Sequence, residues 1–413
     1  MNLHLGQGDT GEITFLGFNQ DQTRLAVGTR TGFRVFSTNN LMLSFLREFG
    51  APISLVEMLF CTNVLAFVGS GPDPFFPSKV VIWEDSQGSL IGEVNFKSPV
   101  CGIRLRRDRL VVILERSIVV YALEQLRLLD KIATSPNPAG VCAVCPMSPK
   151  FRLACPGEQV GEVLVKLFDL DRTHHIQAHE HPITAMAMNI AGTRLATASE
   201  KGTLIRIFSV ETGEKVLEVR RGKDPSNIDG LCFSSDSRWL AVSSTRVRQA
   251  GRFRNFRVFF TTHPCSDIIL LSFLSPVIPY FGGSWSFAQF HIPGADRSPH
   301  PIRSICAFTP ANELIVATSE GMFYKCRFQE GAPGPCQVLQ ESRFLDLLPA
   351  DTPRTILAPA STMSAAQPTA PTPATPPPPP SGGAPSLPEG AAAVPVAMES
   401  PASTTSPATQ PTR

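Results

Sequence analysis

What this 413-residue chain lacks narrows its reading before any motif is considered. It lacks a charge surplus: 37 Lys and Arg stand against 35 Asp and Glu, a formal net charge of +2. Coating nucleic acid through bulk charge is thereby excluded, and any basic function has to be local. It lacks the run of about 20 apolar residues that spans a bilayer. The nearest stretch, "IILLSFLSPVIPYF" at 268–281, is too short and is broken by Pro276 and Pro279. The first residues, "MNLHLGQGDTGEI", carry no basic start and no long apolar stretch, so no secretory signal is expected. The ten scattered cysteines then read as reduced thiols of a cytoplasmic protein. Cys142 and Cys145 have a metal-like spacing but no second pair near them, and the alternation around them is that of a strand with buried thiols. Nucleophile elbows, phosphate-cradling glycine loops and metalloprotease helix motifs are all missing, so neither an enzyme nor a cofactor is expected. Long helical periodicity is missing too.

What is present is a repeat. A turn, then Leu with small or branched neighbours, then a turn and a β-rich run recurs seven times, as in "DQTRLAVGTRTGFRVF", "AGTRLATASEKGTLIRIFSV" and "ANELIVATSEGMFYKCRF". The marker leucines are Leu25, Leu65, Leu110, Leu153, Leu195, Leu240 and Leu314, with successive separations of 40, 45, 43, 42, 45 and 74. A period near 40–45 with four short strands per unit predicts an all-β, seven-bladed, WD-repeat-like β-propeller over 1–349. The long interval puts an insertion of roughly 30 residues over the usual period in unit six. Near residue 350 the composition turns to Pro, Ala, Ser and Thr, which cannot bury enough apolar surface to offset the entropy of ordering. The stretch 350–413 is expected to be a disordered tail. Its run Pro376–Pro380 favours a polyproline II rod of the kind that docks SH3 or WW domains.

A propeller is a scaffold, and its function has to be read from sites. The histidines of "HHIQAHEH", His174, His175, His179 and His181, lack a carboxylate or cysteine partner placed to complete a tetrahedral metal site, so a polar loop between blades is the expectation. The element "EVRRGKDP" (218–225) is more informative. Successive side chains on a strand point to opposite faces, so Arg220 and Arg221 cannot easily serve one small anion but can serve two. Arginine suits bidentate phosphate recognition, and Gly222 is expected to let the backbone turn tightly beside the pair. In a propeller those two faces look toward the two neighbouring blades. The alternative is a pair of ordinary surface salt bridges.

Several stretches together resemble the PROPPIN family of phosphoinositide-binding WD-repeat autophagy proteins, called WIPI in animals. They are "GFNQDQTRLAVGTRTGFRVF", "SKVVIWED", "LRRDRLVVIL", "AHEHPI", "LATASEKGTLIRIFSVETGEKVLEVRRG" and "SFLSPVIPYFGGSWSFAQF", and the resemblance covers about residues 10–345. "KVVIWED" and "WSFAQF" are most similar to the small-loop subgroup. The family motif is Phe or Leu followed by Arg-Arg-Gly; here Val219 takes the first position. The resemblance implies two rim pockets for phosphatidylinositol 3-phosphate and phosphatidylinositol 3,5-bisphosphate. Arg220 would serve one, with His179, Ser199, Lys201, Thr203 and Arg206 along it. Arg221, beside Gly222, would serve the other on the blade-six side. There Ser243 and Ser244 match the family, but its Thr-x-His pair is replaced by Asn255 and Arg257. The arginine-rich stretch 246–257 is a divergent insertion or a gene-model artefact. The resemblance also implies a membrane-entering loop in blade six, for which Leu270, Leu271, Phe273, Leu274 and Ile278 are the candidates; a core strand is the other reading of that run.

Two classes of function follow. One is a peripheral membrane effector, a monomer that binds phosphoinositide membranes and recruits autophagy machinery on preautophagosomal and endosomal membranes. Its implied partner is the large autophagy lipid-transfer protein, docking on blades two and three. The loop "GSGPDPFFPSK" (69–79) would offer Phe75 and Phe76 as anchors if they are exposed, or as core if they are packed. The other class is a protein–protein scaffold with weak or lost lipid binding. Nucleic-acid binding through 246–257 is a remote third reading, and no nucleic-acid partner is expected.

Overall fold

Short strands rich in Val, Ile, Leu and Phe, punctuated by polar turns, build the whole of the described protein. The computed structural model describes residues 2–4, 12–71, 76–147, 149–222, 224–245, 254–260, 288–295, 302–329 and 334–347, with His4 and 254–260 described for the backbone only. The tail 350–413, the loop residues Leu270, Leu271, Phe273, Leu274 and Ile278, and Phe75 lie outside the described residues. All described residues belong to one unit, Met1–Met363.

The marker leucines show how the repeat becomes structure. Each lies in the second strand of its sheet, from Arg24–Thr29 in the first to Leu314–Thr318 in the last, and none is more than 1% exposed. A second strand is covered on both faces by neighbouring sheets, so it reads as a near-continuous apolar run such as "RLVVIL". Fourth strands lie at the outer edge and are less covered, as in "SLIGEVN", where the adjacent Leu90 and Ile91 are both exposed. The core consists of apolar layers between successive sheets. Ala185, Ile205 and Val219 of the fifth, for example, pack with Ile228, Leu231 and Val242 of the sixth. The ring closes by packing: Ile13, Leu16 and Val27 of the first sheet meet Ile305, Ala307 and Ile315 of the last.

The expectation of seven blades is corrected. Six sheets are four-stranded antiparallel blades, lying over 2–48, 53–95, 100–133, 143–177, 183–220 and 304–343. The first carries an extra inner strand, Asn2–His4, paired to Ile13–Phe18. The sheet between 227 and 290 is built differently. After Asn227–Phe233, Trp239–Thr245 and Arg254–Phe260, among the described residues only Ala288–Phe290 continue it. Its outer edge is completed by parallel pairing with Gly334–Pro335, drawn from the chain beyond the next sheet. The physical reason is the long interval between Leu240 and Leu314. Counting marker leucines counts second strands, and a second strand does not determine whether a full fourth strand follows it. This irregular element is called the sixth sheet below, and the blade over 183–220 is the fifth.

Candidate functional site

The strand Lys215–Arg220 is the outer strand of the fifth blade. Val219 is fully buried in the layer facing the sixth sheet. By strand alternation, Glu218 and Arg220 share the opposite face. The register sets Thr197 beside Arg206, Arg206 beside Glu218, and Leu204 beside Arg220. Arg206 donates Nε–H to Glu218 Oε2 at 2.7 Å and Nη1–H to the Ala178 carbonyl at 2.6 Å. Lys215 Nζ reaches the same Glu218 oxygen at 3.4 Å. Glu218's carboxyl lies below its usual range: burial raises it, but the hydrogen bond and charge of Arg206, then those of Lys215, outweigh that.

His179 closes the inner end of this face. It is 4% exposed, and its Nε2 sits 2.9 Å from Thr197 Oγ1. Burial, with the Arg206 charge adding to it, pulls its imidazole down to about 4. At neutral pH it is therefore an uncharged hydrogen-bonding group. The structure thus brings together His179, Thr197, Arg206 and Glu218, with half-buried Arg220 on the same face at the strand end. Thr197 and Glu218 were missed from sequence. Glu218 carries a usable signal, since it stands two residues before Arg220 and so shares its face. Thr197 carries none, because its place depends on strand register.

Ser199 stands two residues after Thr197 and so shares the Arg206 face, whereas Lys201, Thr203 and Arg221 lie at the turn and link beyond the strand ends. Ser199 and Thr203 are buried, and Lys201 is exposed in the turn between them. Arg221 is buried; it donates to the Gly202 carbonyl at 2.6 Å and to the Asp224 carbonyl. Beside it opens a cleft of about 480 Å³ lined by His181, Glu200, Lys201, Pro225, Ser226 and Asn227. The expectation that Gly222 makes the tight turn is corrected. Gly222 is not in the left-handed region, and a Cβ there would meet nothing within 4 Å. The glycine the turn requires is Gly202.

The remaining predicted residues lie apart. Ser243 is fully buried and donates to the Ser304 carbonyl at 2.8 Å, joining the sixth sheet to the next blade. Ser244 is also buried, opposite Asn255, and Arg257 pairs with Val242 along the backbone. The four histidines do not converge: His174 Nε2 lies 2.9 Å from the Glu211 carbonyl, His175 Nδ1 lies 2.8 Å from Glu162 Oε1, His179 is buried and His181 is exposed. Among the described residues no group of three or more metal-ligating side chains is gathered. Phe76 is 44% exposed.

Comparison with known proteins gives a consistent picture. The family model described as PROPPIN matches residues 12–255. The chain is similar to autophagy-related protein 18e of Arabidopsis thaliana, 32% identical over 81% of this chain and 89% of that protein. It is also similar to WD repeat domain phosphoinositide-interacting protein 2 of Mus musculus, 31% identical over 83% of this chain and 80% of that one. Among solved structures, Hsv2 of Kluyvelomyces marxianus shares the fold with a TM-score of 0.65 at 24% identity, over 81% of this chain and 99% of that chain. KlAtg21, solved in complex with the coiled-coil of AgAtg16, shares it with a TM-score of 0.64 at 21% identity, over 83% and 100%.

Proposed function

The chain belongs to the PROPPIN family, and from that premise we propose that it is a peripheral membrane effector of autophagy. It binds phosphatidylinositol 3-phosphate and phosphatidylinositol 3,5-bisphosphate through the Arg-Arg-Gly element and recruits autophagy machinery to forming autophagosomes. Its relatives are autophagy-related proteins and a phosphoinositide-interacting protein, which supports both halves of the reading. The observation that carries it is the placement of half-buried Arg220 on one strand face with Arg206, beside the uncharged imidazole of His179. Guanidinium groups meet phosphate oxygens bidentately, and neutral imidazole and hydroxyl groups serve the ring hydroxyls. Ser199, Lys201 and Thr203 stand at the rim end of the same blade, where the cleft beside Lys201 is a second candidate pocket.

Among the described residues no helix is long and apolar enough to cross a membrane. Attachment in this reading combines headgroup contacts with a wedge from Leu270, Leu271, Phe273, Leu274 and Ile278, each buried side chain contributing roughly 1.5–3 kcal/mol. Weak contacts of this kind reinforce one another once the first has formed. For protein partners, the KlAtg21 complex with a coiled-coil supports docking of another autophagy protein. We place the lipid-transfer partner on blades two and three, where Phe76, Leu90 and Ile91 of the second and Leu128 of the third are exposed.

Vesicle flotation tests the reading. Wild-type protein should float with phosphatidylcholine vesicles containing phosphatidylinositol 3-phosphate, and Arg220→Thr/Arg221→Thr should not. Equal flotation of the two proteins would remove the site assignment. The competing scaffold reading is favoured by one observation: Arg206 is already paired with Glu218 in the unliganded protein. Absence of wild-type flotation, with partner binding retained, would establish that reading instead.

A further inference from the structure

The first strands of several sheets share an irregularity near their start. Pairing with the second strand slips by one residue between Ile13 and Phe15, Ile53 and Leu55, Val100 and Gly102, Ile183 and Ala185, and Ile228 and Gly230. The residues left unpaired at these bulges are Thr14, Ser54, Cys101, Thr184 and Asp229. Bulges re-aim a side chain and are frequent beside binding sites. Where the bulge residue is Thr14 or Ser54, its hydroxyl finds a backbone carbonyl: Thr14 donates to Ile53, and Ser54 to Val68 at 3.1 Å. Thr184 breaks this pattern. Its Oγ1 is buried and, among the described residues, has no hydrogen-bond partner.

Thr184 and Asp229 both line a cavity of about 420 Å³, within the range of small-molecule sites. Its walls come from the first strands of the third, fifth and sixth sheets, and Asn2 and Leu3 of the extra inner strand close one side. Met186, Ile228 and Leu231 give it apolar surface. Arg104 lines this cavity and also a smaller one of about 140 Å³ beyond it. Its guanidinium is fixed by two backbone carbonyls: Nε–H donates to Cys142 at 3.2 Å and Nη1–H to Ile103 at 2.7 Å. Among the described residues its Nη2 has no hydrogen-bond partner and makes no ion pair. The Glu57 carboxylate feels the Arg104 charge, but it is answered by Asn2 at 2.7 Å and Gln20 at 3.3 Å. A guanidinium cannot shed its charge, and a half-buried one is costly without a partner.

We propose that this cavity is a binding site for a small soluble monocarboxylate with an apolar tail. The carboxylate meets Arg104 Nη2 and the Thr184 hydroxyl, and the tail lies against Met186, Ile228 and Leu231. The two oxygens of a carboxylate match the donors of a guanidinium. The site suits a single negative charge. Asp229, on the same wall, accepts Thr245 Oγ1–H at 2.5 Å and lies 3.8 Å from Arg303 Nε, and its own charge would repel a second one on the ligand. The cavity is built from inner strands, whereas Arg220 and Arg221 stand at the end of an outer strand and just beyond it. The proposal therefore does not rest on the lipid-binding reading.

Isothermal titration calorimetry of the full chain with sodium hexanoate, at fixed ionic strength, tests the proposal. The wild type should bind hexanoate saturably and bind the uncharged analogue 1-hexanol at least about tenfold more weakly. Arg104→Gln should weaken hexanoate binding by about tenfold or more, the loss of a charge-assisted hydrogen bond. Thr184→Val should weaken it by about three- to tenfold. That variant removes a hydroxyl with no protein partner, so the melting temperature of the free protein should not fall. Arg220→Thr/Arg221→Thr should bind hexanoate as the wild type does. Absence of saturable binding in the wild type would overturn the proposal, and so would wild-type affinity in either Arg104→Gln or Thr184→Val. Loss of binding in Arg220→Thr/Arg221→Thr would move the site to the rim and overturn it as well. Equal affinity for 1-hexanol, or tighter binding of inorganic phosphate, would overturn the carboxylate assignment. If thermal melts show that Arg104→Gln does not fold, Thr184→Val alone decides.

Discussion

His179 shows how burial converts a titratable residue into a neutral one. Water is excluded around its ring and the Arg206 charge stands nearby, so the imidazole titrates near 4 rather than at its ordinary 6.5. Between those values the unfolded chain binds a proton that the folded chain refuses. Stability is therefore complete above about pH 6.5 and falls as the pH drops toward 4. Urea unfolding at pH 7 and pH 5 should show this loss in the wild type and a smaller one in His179→Gln. Glu218 poses the opposite case, a carboxylate that answers Arg206 in the absence of any ligand. The pair is about three-quarters buried, and Glu218→Gln is expected to cost about 0.5–1 kcal/mol of stability. The same substitution should raise binding to anionic vesicles, because the guanidinium no longer has an internal competitor. Flotation at two salt concentrations would check it; unchanged binding would show that Arg206 does not face the ligand.

Short strands that no periodicity argument could find are held by partners far along the chain. Asn2–His4 has three residues, too few to be stable alone, and it is fixed by its ladder to Ile13–Phe18 and by Asn2 Nδ2–H donating to Glu57 Oε2 at 2.7 Å. Glu57 is buried, and burial pushes its carboxyl up despite the Arg104 charge that lowers it. Asn2→Ala removes one of its donors and is expected to destabilise the protein by about 1–3 kcal/mol in urea unfolding. A smaller effect would mean that the strand is held by its backbone ladder alone. Gly334–Pro335 is a second such element, and the Cys336 N–H donating to the Gln289 carbonyl at 2.7 Å extends its hold on the sixth sheet.

At the scale of the whole molecule, the ends of the repeat array have to meet. Apolar packing between the first sheet and the last supplies most of that contact, and Gln22 adds a polar stitch. Its Nε2–H donates to the Phe233 carbonyl at 3.0 Å, and its Oε1 accepts the Phe308 N–H at 2.6 Å. One side chain of the first sheet thus reaches both the sixth sheet and the last blade, from a residue held at φ 64°. Gln22→Ala would leave a carbonyl and an N–H without that partner. It should cost about 1–3 kcal/mol, read as a lower denaturation midpoint. Wild-type stability in that variant would show that packing alone closes the ring.

The sequence by itself determined the periodic features. Each second strand is apolar on both faces and carries its leucine at one fixed place, so the unit length and the all-β class were legible. So was the opposition of Arg220 and Arg221, because alternation along a strand is a local property. Only the tertiary structure decided how deeply each arginine is buried and what it bonds to. Arg221 is buried because the 200–203 turn and the 224–227 link happen to close over it, and those segments touch only across strands and sheets. The same holds for Ser243, whose hydroxyl serves Ser304 61 residues away, and for the fourth edge of the sixth sheet, completed by Gly334–Pro335. Register, burial and closure depend on contacts between residues far apart in the chain, and a repeat pattern carries no information about them.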